Sequence, residues 1–95
     1  MDMPIFLVNS VNEDELIREI ANKILNDPNL LDVNHWHNGD SHCIGGWAII
    51  LNKEAQEIEK IYGSEIAACL LLPNIQTFIF THKETAIRAL EEIMI

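Results

Sequence analysis

Three histidines and a cysteine crowd one short stretch of the chain: His35, His37, His42 and Cys43. Neutral imidazole and thiolate are what zinc takes at tetrahedral corners, so this set has the donor count of a metal site. Its spacing matches no finger. The chain has neither a Cys-x-x-Cys nor a His-Glu-x-x-His, and the second cysteine, Cys69, lies far downstream. Packing accounts for the same residues if His35 and His37 flank a buried Trp36 on a loop and His42 helps begin a helix. That reading is adopted, with no metal or other cofactor expected; the four-residue metal set is the alternative.

Cys43 carries a second chemistry. At the start of a helix, exposed N–H groups and the dipole stabilise a thiolate. A neighbouring His42 or His37 can then act as base, which is the outline of a cysteine hydrolase. Against it, no His and Asn partners are apparent downstream, His82 being the one candidate, and 95 residues leave little room for a substrate cleft. Free cysteine is among the most buried residue types, and Cys69 within Ala67-Ala68-Cys69-Leu70 reads as packing. Trp36 and Trp47 can stack a ligand, but aromatics of this size more often fill a core. No catalytic residue is assigned, and Trp36, Cys43, Gly45, Gly46 and Trp47 are read as motif residues that shape the fold.

The elements that must position these residues read as helices. Ser10 and Glu13 have capping-box spacing, and Leu16, Ile17, Ile20, Ala21, Ile24 and Leu25 follow at three-and-four intervals, predicting a helix over about 11–25 that ends at Asn26-Asp27-Pro28. Leu30 to Ser41 reads as a loop anchored by Leu31, Val33 and Trp36. Cys43 to Leu51 has no charge at all, the mark of a buried helix; Asp40 or Ser41 is its expected N-cap. Gly45-Gly46 would let another backbone come close, at a propensity cost of roughly 1 kcal/mol per glycine. Lys53 to Tyr62 is an amphipathic surface helix ended by Gly63, and Ser64 is the expected cap of a helix stopped by Pro73. Asn74 to Phe80 is ambiguous between a short helix and a strand, the helix being favoured. Thr81 and Glu84 have capping-box spacing ahead of a last helix with Ala86, Ile87, Leu90, Ile93 and Met94 on one face. The fold class is all-α: a single domain of five or six short helices around a central apolar one. The alternative is α+β, with Pro4 to Val8 as an edge strand against Thr77 to Phe80.

Composition bounds the function. At 95 residues and 10.8 kDa there is room for one core only, and 48% hydrophobic with 22% charged residues predicts that it packs. Fifteen acidic against six basic residues give a formal charge of −9 and a pI near 4.6. That argues against direct nucleic-acid binding through phosphates and against anionic membrane surfaces. The opening residues lack the positive charge of an export signal, no stretch reads as a membrane span, and two cysteines are too few for a disulfide scaffold. The expected location is the cytoplasm.

The run Leu31-Asp32-Val33-Asn34-His35-Trp36-His37, then Ser41-His42-Cys43-Ile44-Gly45-Gly46-Trp47-Ala48, with the later Ala67-Ala68-Cys69-Leu70-Leu71-Leu72-Pro73, resembles a group of small bacterial and phage proteins. These carry a Trp-His loop followed by a His-Cys-Ile-(Ala/Gly)-Gly-Trp-Ala motif. The similarity spans roughly 24–93. It implies a helical domain of unknown function, without a substrate or an established catalytic residue. Many members place a second cysteine five residues before the one matching Cys43; here that position is Asn38, followed by Gly39. The functional expectation is a non-enzymatic acidic module that binds another protein with a basic surface, with mimicry of nucleic-acid charge as its phage-type form. The alternative is a small metal- or thiol-dependent enzyme built on residues 35–43.

Overall fold

The computed structural model describes residues 12–74 and 78–95. Among them the fold is all-α, with five α-helices: α1 Glu13–Asn26, α2 Ile44–Ile50, α3 Lys53–Tyr62, α4 Ser64–Leu71 and α5 Lys83–Ile93. A 3-10 turn, Pro28–Leu30, follows α1. Extended pairing among the described residues is limited to two isolated bridges. Phe78 to Phe80 form no strand, and neither the expected edge strand Pro4 to Val8 nor residues 75–77 of the ambiguous segment lie within the described residues.

The predicted stripe of α1 is its buried face: Leu16, Ile17, Ile20, Ala21 and Ile24 all lie in the core. The start differs from the sequence reading. Asn12 is the N-cap, its side chain accepting from the Glu15 N–H at 3.1 Å. That puts Glu13 at the first helical position, too early to close a capping box, which needs the third. Its carboxylate accepts instead from the Asn74 backbone N–H and side-chain amide, both at 3.2 Å, tying the start of α1 to the turn after α4. Ser10, the expected cap, lies outside the described residues.

A one-place offset occurs at α5. His82 is the N-cap and makes no side-chain cap bond, so Thr81 sits outside the helix and Glu84 at its second position, again the wrong register for a box. Ser64 likewise does not cap α4. It is the first residue of that helix, behind Gly63, whose φ of 95° is the left-handed backbone for which glycine is suited and which ends α3.

The uncharged segment is the centre of the molecule. Six of the seven α2 residues, Ile44 to Ile49, are buried, and α2 packs against α1, α3 and α4, while α5 packs chiefly on α1. Its N-cap is Cys43, whose sulfur accepts from the Gly46 N–H at 3.4 Å. Asp40 and Ser41, the expected caps, are held instead in a tight turn. Gly46 carries the closest approach: a Cβ there would overlap the carbonyl oxygen of Trp36 and crowd His42. The glycine is required by the loop lying on the helix. Gly46→Ala is therefore expected to lower unfolding free energy by about 2 kcal/mol or more, the cost of overpacking a filled site. Urea denaturation of the variant measures it.

Candidate functional site

The sequence that looked chemical forms a loop, residues 31–42, strapped across the start of α2. Backbone bonds close it: His42 N–H donates to the Leu30 carbonyl at 3.1 Å, Asp32 N–H to the His42 carbonyl at 3.1 Å, and Cys43 N–H to the His35 carbonyl at 2.9 Å. The Leu30 carbonyl also accepts from the Trp47 indole N–H at 2.8 Å, so one oxygen joins the loop's root to the central helix. At the far end, Asn38 and Ser41 exchange backbone bonds around Gly39-Asp40. Gly39 has φ +64° and among the described residues no non-glycine has a positive φ, the sign pattern of a II′ turn, with glycine at its first central position.

Asp32 organises the loop interior. One carboxylate oxygen accepts from the Asn34 N–H at 2.9 Å; the other accepts from the Asn38 amide at 2.8 Å and pairs with His35 Nδ1 at 2.9 Å. The Asn38 amide, the Asn34 N–H and His35 together hold its pKa down at about 2. Asn38 supplies both a turn and an Asp32 donor.

His37 and His42 meet. Their Nδ1 atoms are 2.7 Å apart with the rings edge to face, and His42 Nδ1 is also 3.2 Å from the Trp36 carbonyl oxygen. His37 Nε2 reaches Glu59 on α3 at 2.6 Å, and the Ser64 hydroxyl on α4 donates to the same Glu59 oxygen at 2.7 Å. His42 is buried, edge-on to Trp47, with Lys23 of α1 5.3 Å from the centre of the Trp47 ring. Burial holds His42 below the ordinary histidine pKa, against the opposing pull of the Trp36 carbonyl. Burial by itself would raise Glu59, but the Ser64 hydroxyl and His37 outweigh it and its pKa is lowered.

Of the four proposed ligands, two therefore bond to each other, His35 turns to Asp32, and the Cys43 sulfur faces the Gly46 N–H. Among the described residues no group of three or more His, Cys, Asp or Glu is placed to hold a metal ion. Cys43 is half-buried, and that burial pushes its thiol pKa up, the N–H groups of Gly46 and Gly45 only partly opposing it. Trp47 is buried in the core, whereas Trp36, expected to be buried, is half-buried against it; Cys69 is half-buried against the core. Beside the loop is a cleft of about 200 Å³ between Trp36, Val33 and Cys43 on one side and Phe78 and Phe80 on the other.

Glu59 and Ser64 are the partners that sequence reasoning missed. Glu59 reads as one of several carboxylates on an exposed helix face, and no local pattern marks a bond to a histidine 22 positions earlier. Comparison of the chain with protein-family models, with curated proteins and with solved structures finds no match.

Two outcomes follow from the site's electrostatics. Asp32 has a folded pKa below its ordinary value, so its contribution to stability is present above pH 3.8 and is lost as pH falls through about 2. The stability difference between wild type and Asp32→Asn, measured by denaturation against pH, should hold steady at neutral pH and shrink through that window. Cys43 should react with iodoacetamide at pH 7 at least about tenfold more slowly than a free model thiol, because its thiolate is disfavoured and half covered.

Proposed function

We propose that the chain is a non-enzymatic acidic interaction module that binds a protein with a basic surface. The observation that carries this is the disposition of its carboxylates. Asp14, Glu15 and Glu19 on α1, Glu54 and Glu57 on α3, and Glu84, Glu91 and Glu92 on α5 are all exposed. Among the described residues, Lys60 with Glu57, at 3.3 Å, is the one lysine–carboxylate pair. The other exposed acids named here make no ion pair among the described residues and add to the formal charge of −9. Such a surface raises the encounter rate with a cationic partner and fixes its orientation more than it adds affinity.

The histidine–cysteine segment supports this reading from the other side, since its polar groups are engaged with one another and with backbone. In its sharper form, suggested by the resemblance to phage proteins, the module places carboxylates where a nucleic acid would place phosphates and occupies the basic groove of a nucleic-acid enzyme.

Capture from lysate on the immobilised chain tests the proposal. A discrete basic protein should be retained at low salt and released as ionic strength approaches about 1 M, where the screening length falls to about 3 Å. Reversing charge with Glu15→Lys and Glu19→Lys should weaken retention by about tenfold, the scale of a few screened surface charges. Retention indifferent to both salt and charge reversal, or no retention, sinks the reading.

A further inference from the structure

The cleft between Trp36 and Phe80 is used neither by the fastenings of the loop nor by the acidic helix faces. One of the chain's two tryptophans and two of its three phenylalanines, Trp36, Phe78 and Phe80, line it. We infer, building on the interaction role proposed above, that this cleft is an arginine site: it receives one arginine side chain of the basic partner, with the guanidinium against the three rings.

Size limits the occupant. Sites for cofactors and drug-sized ligands enclose about 300–1,000 Å³, whereas this cleft encloses about 200 Å³. That is room for one side chain. The rings are also free to take a cation. Among the described residues, Trp36, Phe78 and Phe80 make no contact with another ring or with a cation, and the Trp36 indole N–H has no hydrogen-bond partner. Trp47 is the contrast, since its ring meets His42 and Lys23 and its N–H donates to the Leu30 carbonyl. Aromatic faces carry the negative side of a quadrupole and attract positive charge.

The charge around the cleft has the same sign. Among the described residues no lysine or arginine lines it. The Asp32 carboxylate accepts from the Asn34 N–H and pairs with His35 Nδ1, and both residues belong to the cleft wall. Burial is the main cause of the raised Cys43 thiol pKa and the Asp32 charge adds to it, so that charge is felt inside the wall. Phe78 also borders a shallow depression with Glu13, Asp14 and Arg18, two acids to one base. Arginine suits these walls better than lysine. Its guanidinium is planar, stacks on aromatic rings and is more weakly hydrated than an ammonium. It has donors only, and the Asn34 side chain, exposed and without a hydrogen bond among the described residues, supplies a carbonyl acceptor at the rim.

Nuclear magnetic resonance titration of the whole chain with acetyl-Gly-Arg-Gly-amide, and with its uncharged citrulline counterpart of the same shape, tests this. At about 0.15 M salt, attraction to carboxylates more than about 8 Å away is screened. The arginine peptide should shift the ring signals of Trp36, Phe78 and Phe80. It should also bind at least about threefold more tightly than the citrulline peptide, the scale of one cation–ring contact at a half-open site. Trp36→Leu leaves the formal charge at −9 and should remove most of that preference. Should that variant fail to fold, Phe80→Leu serves, and should reduce the preference by at least about half. Equal binding of the two peptides overturns the inference, because the cleft then takes an apolar side chain. So do a preference that survives both substitutions, and ring signals unmoved by millimolar arginine peptide. The peptides need no partner, so the two readings fail separately: a lysate that yields no salt-sensitive basic protein sinks the interaction module, whereas equal binding of the peptides sinks the arginine site.

Discussion

The contact on which the rest of the structure depends is the approach of the Trp36 backbone to Gly46. A carbonyl oxygen sits where any other residue's Cβ would be. That proximity lets a loop with no regular secondary structure lie flat on a buried helix. It also brings His42 within reach of the Trp36 carbonyl and of Trp47. A helix of only seven residues with two glycines is a poor helix by propensity. It is held by its neighbours: α1, α3 and α4 surround it, and the loop closes the side that the glycines leave open.

The polar residues over that contact are arranged to leave little unsatisfied. Among the described residues no buried side-chain nitrogen or oxygen lacks a partner. Asp32 collects three donors inside the loop, and Glu59 collects two from elements that are distant in sequence. A carboxylate with several donors is stabilised in its charged form, which is why both acids lie below their ordinary values. The cluster that looked like a reaction centre in one dimension is, in three, a set of fastenings between a loop, a helix start and two neighbouring helices.

Much of this was legible in the sequence, and the parts that were not share a cause. The stripe from Leu16 to Ile24, the uncharged α2 and the Gly63 break all sit where periodicity and composition put them, because those signals report burial directly. The helix starts were displaced by one to three residues where more than one capping side chain was on offer. Asn12 took the role expected of Ser10, and Cys43 that of Asp40 or Ser41, since Asn38 to Ser41 were already committed to a turn. The spacing of His37 and His42 does not say whether the two rings meet; the turn from Asn38 to Ser41 brings them together. Their connection to Glu59 and Ser64 was no more legible, because it depends on how α3 and α4 pack, and one carboxylate on an exposed helix face looks like any other.

The loop is fastened largely through its main chain: the carbonyls of Leu30, His35, Trp36 and His42 and the amides of Asp32, His42 and Cys43 carry most of the ties. Main-chain groups are common to almost every amino acid. The outward side chains of Asn34 and Asp40 take no part in these main-chain ties. A lineage carrying this frame has room to rewrite the face it shows to other molecules while the frame stays in place.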